Sequence, residues 1–326
     1  MTKRKSRINL IIICSLVLAS FAVGAITQPA IAAGKKPVVA YLLPNVGPWY
    51  TDKWYGAREE AEKLGIEAIM YNAGGYKNIN KQINQVEDLI QKKVDGIILH
   101  PVSPEGMIPV VEKALGAGIY VCTEHAPLAK KLVPHIWEAP GEAGRQLALL
   151  LSIAMGGKGK IAAITGPPGQ AEAQMMWEGF TYYMSSFPEI KIVAPAPAYL
   201  AYNVGASLKQ TEDFLTGNPD LTGIYTWAEL SAHGAVQALK AQGYKPGQVK
   251  VVTAFISSET LEYMKDGWIQ YSLPGAAVEV GRTSMRNMAK MLKGEKVPPG
   301  NYDVPMFAIS AEMADKFDRS KWERPQ

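Results

Sequence analysis

After Lys36 the chain alternates short apolar runs with segments of helical period, almost without a break. The run Val38-Val39-Ala40-Tyr41-Leu42-Leu43 is continuously apolar, as a strand buried on both faces of a parallel sheet requires. The pattern then predicts a helix over 51–64, stopped by Gly65, and a strand over 67–71. A helix over 79–92, a strand over 96–100, a helix over 107–117 and a strand over 120–123 follow. The second half repeats the plan: strands over 160–165, 190–193, 223–225 and 249–254, with helices over 171–186, 204–216 and 230–242 between them. Repeated βα units with short loops give a parallel sheet covered by helices.

The repeat shows in letters as well. Trp54-Tyr55-Gly56-Ala57 in the first helix answers Trp177-Glu178-Gly179-Phe180 in its counterpart. The stretches 96–118 and 223–243 share a Gly-Ile start, a polar loop, an Ala-Leu-x-Ala helix end and a terminal glycine. A mid-helix glycine costs about 1 kcal/mol relative to alanine, so close packing of helix on sheet is expected at Gly56 and Gly179. Two copies predict two similar doubly wound (Rossmann-like) α/β lobes joined by a hinge. Such sheets bind ligands beyond the carboxyl ends of their strands, which places a site in the cleft between the lobes. Residues 37–138 plus 276–304 are expected to form the N-terminal lobe, and 139–275 plus 305–326 the C-terminal lobe.

The 326 residues suit two domains, and 48% hydrophobic with 20% charged residues is an ordinary globular mixture. The net charge of +4 matches the contribution of Lys3, Arg4, Lys5 and Arg7 alone, and no basic stripe points to nucleic acid. Those four residues precede an apolar run over 8–26 and the small-residue site Ala30-Ile31-Ala32. Residues 1–33 therefore read as a signal peptide, cleaved after Ala32 or Ala33, with a retained anchor as the alternative. The folded part is expected in the periplasm. Cys14 follows Ile11-Ile12-Ile13, a poor lipoprotein site, and Cys122 then has no partner for an internal disulfide.

Enzyme motifs are missing. There is no phosphate loop and no nucleophile elbow. Gly166-Pro167-Pro168-Gly169 lacks the lysine of a phosphate loop and loses two backbone donors, so it reads as a rigid turn. His100, His125, His135 and His233 show no metal spacing. A structural role is expected of His135 and His233, whereas His100 and His125 end strands and are expected at the cleft. No catalytic residue, metal or cofactor is expected.

The signal peptide, the stretch 38–64, Asp95-Gly96-Ile97-Ile98-Leu99-His100-Pro101, Trp177-Glu178-Gly179-Phe180 and the late segment 285–294 together resemble type I periplasmic binding proteins of the ribose-binding group. Asn72-Ala73-Gly74-Gly75-Tyr76, the Gln/Asn-rich helix after it and Trp137 resemble, more narrowly, the trimethylamine-N-oxide-sensing branch. The family resemblance implies a monomer whose lobes close on a small solute, delivered to an ABC-type permease in the inner membrane. The narrower one implies a sensor module docking on a membrane histidine kinase.

The resemblance also carries site positions over singly. The aromatic pair after the first strand is retained as Trp49 and Tyr50, preceded by Gly47 in place of asparagine. The asparagine ending the third strand becomes His100, the Asp-Arg pair after the fourth becomes Glu124-His125, and the arginine opening the second lobe becomes Gln174. The later polar positions fall near Ala228, Phe255 and Gly275. With Trp137, Trp227 and Glu229, these give an expected ligand-binding set of Trp49, Tyr50, His100, Glu124, His125, Trp137, Gln174, Trp227, Glu229 and Phe255. Trp54 and Trp177 are expected in the core, and Trp137 and Trp227 fit core or cleft equally. A sugar would leave hydroxyls unpaired in this set, at roughly 1–3 kcal/mol each. Aromatic faces near carboxylates point instead to an amine-like or aromatic solute, with a sugar as the alternative by analogy of fold.

Overall fold

The computed structural model describes residues 35–167, 170–196, 203–319 and 322. The signal peptide expectation, Cys14 included, lies outside the described residues, as do Pro168 and Gly169. Among the described residues no helix is long and apolar enough to cross a membrane.

The apolar runs become the strands of two sheets. One holds β1 (Val38–Leu43), β2 (Glu67–Asn72), β3 (Gly96–Leu99), β4 (Tyr120–Glu124), β5 (Pro134–Trp137) and, from late in the chain, β11 (Gly300–Asp303). Its order is β11-β5-β4-β3-β1-β2, and every pairing is parallel. The other holds β6 (Gly159–Ile164), β7 (Ile190–Ala196), β8 (Gly223–Thr226), β9 (Lys250–Ala254), β10 (Tyr271–Leu273) and β12 (Ile309–Ser310), in the order β12-β10-β9-β8-β6-β7. Only β12 runs antiparallel, against β10. Without β11 and β12, both sheets follow one doubly wound plan, second-first-third-fourth-fifth. The expected fold class is thus the observed one. The strands not foreseen, β5 and β10 to β12, are two to four residues long, too short for an apolar run to announce.

The described chain crosses between the sheets three times: at 138–139, at 274–276 and at 304–308. After the second crossing, α9 (Ala277–Leu292) packs on α1 (Pro48–Leu64) and on β3, β4 and β5. Its counterpart α4 (Pro140–Ala154) packs on α5 (Ala171–Met184) and on β8, β9 and β10.

These two helix pairs correct the reading of the mid-helix glycines. A Cβ on Gly56 would overlap the Val278 carbonyl of α9, and one on Gly281 the Lys53 carbonyl of α1. In the other lobe Gly179 faces the Gly141 carbonyl and Gly144 the Met176 carbonyl. The glycines serve helix-on-helix contact, not helix-on-sheet. Trp54 and Trp177 pack, half-buried, against the core as expected. The first helix also starts three residues earlier than its period suggests. Pro48 at its first turn has φ preset for a helix, so Trp49 and Tyr50 stand on a helix N-terminus rather than in a loop.

Candidate functional site

In this strand order the switch point lies between the first and third strands of each sheet, where ligands bind. Both switch points open onto one cavity of about 1800 Å³. Trp49 and Tyr50 reach it after β1, Tyr76 after β2, His100 after β3, His125 after β4, and Trp137 and Glu138 around the end of β5. From the second lobe come Gln170 and Glu172 after β6, Trp227 and Glu229 after β8, and Phe255 after β9. Eight of the ten expected residues line it: Trp49, Tyr50, His100, His125, Trp137, Trp227, Glu229 and Phe255.

Gln174 and Glu124 do not. Gln174 is exposed and donates to Glu178 at 2.9 Å. It lies two residues beyond Glu172, and positions two apart on a helix do not share a face. With Glu172 turned to the cavity, Gln174 turns away. Glu124 is fully buried beneath the cavity floor, because Lys53, equally buried, meets it from α1 with Nζ 3.0 and 2.9 Å from its two carboxylate oxygens.

That ion pair anchors a chain of contacts leading outward. Lys53 Nζ lies 3.0 Å from His100 Nδ1, and His100 Nε2 lies 3.0 Å from the Tyr76 hydroxyl. Tyr76 in turn meets the Tyr50 hydroxyl at 3.3 Å. Gln82 braces the same loop, donating to the His100 carbonyl and accepting from the Val102 amide, both at 2.9 Å. Burial, then the Lys53 charge, pushes the His100 imidazole down to about 3. His100 Nδ1 also lies 3.2 Å from a Glu124 carboxylate oxygen, so the imidazole sits between the two members of the ion pair. Burial opposes the charge on Glu124, but Lys53 and then His100 hold its carboxyl well below the usual range.

The cavity wall uses strained backbone. His125 and Phe255 both have positive φ, 59° and 62°, and follow the fourth strand of their sheets. Each amide donates to the neighbouring fifth strand, His125 to the Ile136 carbonyl at 2.8 Å and Phe255 to that of Leu273 at 2.7 Å. The lobes therefore repeat one left-handed turn that throws a ring into the cavity, at a cost of about 1–3 kcal/mol for a non-glycine residue. Trp49 bridges the two rings edge-on, 5.8 Å from His125 and 5.6 Å from Phe255.

His125 also lies between two carboxylates. Its Nδ1 is 3.6 Å from Glu138 and its Nε2 is 3.6 Å from Glu172. Burial works against its cation, but Glu172 and Glu138 raise its pKa above the ordinary value. Burial raises the Glu172 carboxyl, against the pull of His125 and with the help of Glu138. Among the described residues, these three also form a group whose ligand atoms lie close enough together to hold a metal ion. Trp137 lines the rim and donates its indole N–H to Asp303. His135 and His233 bond to Thr123 and Thr260 at 3.1 and 2.9 Å and stay buried outside the cavity, the structural role expected of them.

Sequence reasoning missed Lys53, Tyr76, Glu138 and Glu172. Lys53 had a signal: it shares the buried helix face of Ala57 and Glu60 at helical spacing. The others depend on loop paths and on the crossing between lobes, which no local pattern reports.

The family described as periplasmic binding protein domain matches residues 39–296. The chain is 25% identical over 287 residues to the D-allose-binding periplasmic protein of Escherichia coli, covering 84% of this chain and 89% of that one. It is 23% identical to a ribose import binding protein of Bacillus subtilis, covering 83% and 87%. Among solved structures, an ABC transporter periplasmic solute-binding protein of Actinobacillus succinogenes with bound D-allose superposes with TM-score 0.75 at 26% identity, covering 86% of this chain and all of the other. None of these supports the narrower trimethylamine-N-oxide resemblance.

Proposed function

Because the chain belongs to the periplasmic binding protein domain family, we propose that it is the solute receptor of an ABC-type importer and catalyses no reaction. Its lobes, 37–138 plus 276–304 and 139–275 plus 305–326, close on a small solute in the periplasm and present it to the permease. The observation that carries this reading is the cavity between two switch points, lined by both lobes. At about 1800 Å³ it exceeds the roughly 300–1,000 Å³ of a fitted small-molecule pocket. A small solute touches both walls only once the lobes approach, so binding shifts the population toward the closed form.

A sugar or cyclic polyol is the solute class we assign. The named relatives take D-allose and ribose, and they lend nothing to an amine-like or aromatic solute. The loss of arginines is offset by groups that the sequence positions did not reveal. Glu138, Glu172, Gln170 and Asn301 line the cavity and can accept from hydroxyls, while Trp49 and Phe255 offer faces and edges to the apolar side of a ring.

Thermal-shift measurement of the purified protein against pentoses, hexoses, polyols, amines and aromatic acids tests this. A bound solute raises the melting temperature by mass action, equivalent to about 2.7 kcal/mol at a hundredfold excess over Kd. A sugar or polyol should give the largest shift and be recovered unchanged. Shifts with amines alone would overturn the solute class, and turnover would overturn the receptor.

A further inference from the structure

His125, Glu138 and Glu172 come from three separate segments: the turn after β4, the first crossing between the lobes, and the first turn of α5. One ligand atom from each lies within 4.8 Å of the other two. Glu138 is only 5% exposed, and its Oε1 has no hydrogen-bond partner among the described residues. A buried acceptor left unpaired costs about 1–3 kcal/mol, and more when charged. Among the described residues no lysine or arginine pairs with either carboxylate; the ion-pair contact of each is His125. Two carboxylates thus converge on one imidazole with an acceptor to spare, against a cavity wall.

We propose that His125, Glu138 and Glu172 form a binding site for a divalent transition-metal ion of zinc-like chemistry. One imidazole nitrogen with two carboxylate oxygens suits such an ion, whereas calcium and magnesium favour oxygen alone. Three protein ligands leave a coordination position open, and all three residues line the cavity, so that position is available to a solute oxygen. His125 belongs to the first sheet's turns, Glu172 to the helix after β6, and Glu138 to the link between them, so the ion ties the lobes together at their junction. The sequence expectation of no metal rested on spacing. Gaps of 13 and 34 residues match no local motif, because the site is assembled by the crossing and not by one helix or loop.

The test needs no knowledge of the solute. The purified protein, stripped with EDTA and dialysed, is titrated with zinc chloride by calorimetry, and its cobalt form is read for visible ligand-field absorption. One equivalent should bind, with four- or five-coordinate cobalt absorption. Glu138→Gln, Glu172→Gln and His125→Gln should each weaken zinc at least tenfold, since even outer partners of metal ligands carry about 10–100-fold. Circular dichroism checks that each variant folds, and Glu172→Gln, at a partly exposed position, is the one least exposed to that objection. Absence of saturable zinc binding overturns the proposal. So does equal binding by the triple variant, which would mark zinc at the surface.

Discussion

Lys53 and Glu124 form an ion pair at 2.9 Å with neither side chain exposed, directly under the residues that line the cavity. It ties α1 to the end of β4 and fixes His100 between them. Removing one partner of a buried pair leaves an uncompensated charge, at a typical cost of 3–5 kcal/mol, whereas replacing both with apolar residues is often near neutral. Lys53→Met should therefore destabilise by about that much in urea denaturation, and the double variant Lys53→Met/Glu124→Leu should recover most of the loss. A single variant within about 1 kcal/mol of the parent would mean that the pair does not hold the floor.

The glycines between paired helices give a second contrast. Gly56→Ala sets a methyl against the Val278 carbonyl, and overpacking of this kind costs about 1–3 kcal/mol or more. Gly116 lies in α3 (Ile108–Gly116) with nothing within 4 Å of an added Cβ. Gly116→Ala should thus stabilise by up to about 1 kcal/mol. Urea midpoints that move the same way for both would remove the helix-contact explanation.

His135 predicts acid sensitivity. Burial lowers its pKa from the ordinary 6.5 to about 4; Glu124 and Asp303 work the other way and His125 with it. Between those values the unfolded chain binds a proton that the folded protein does not, so stability rises with pH. Its contribution is complete above pH 6.5 and lost as pH falls toward 4, a difference of roughly 3 kcal/mol. Urea melts at several pH values should show this slope, and His135→Gln should reduce it, leaving the share of the buried His100, whose pKa is also lowered. An unchanged slope in the variant would assign the acid sensitivity elsewhere.

Gly275 sits at the second crossing, where an added Cβ would lie 2.9 Å from both Phe255 Cδ1 and Trp49 Cζ3. Gly275→Ala should wedge the rings of the two lobes apart. The expected result is at least a tenfold loss of affinity for the solute found by thermal shift, with the free protein's melting temperature nearly unchanged. Equal affinity, measured by calorimetry, would show that the contact between Trp49 and Phe255 plays no part in holding the solute.

Much of the scaffold was legible because its signals are local. A strand buried from Val39 to Leu43 must be continuously apolar, and Gly65 ends its helix at φ 70°, a conformation glycine adopts without strain. Strand ends also placed His100 and His125 at the cleft, and the family resemblance placed Phe255 there. The failures have one physical origin. Gln174 and Glu124 were located by position along a motif, but helix phase turns one outward and a lysine from another element captures the other. Glu138 and Glu172 gain their meaning only where the lobes meet.

The three crossings between sheets also govern the order in which this molecule can be assembled. The first lobe receives α9 and β11 only after β10 of the other lobe has been synthesised. Until residues 277–303 arrive, the glycine face of α1 has no partner and β5 has a bare edge. Contacts that close such long stretches of chain are made late and slowly. The second lobe, whose strands β6 to β10 are contiguous in sequence, can gather its sheet first. Refolding should accordingly pass through a species with the second lobe formed and the first still open, a chain kept unfinished until its last fifth is made.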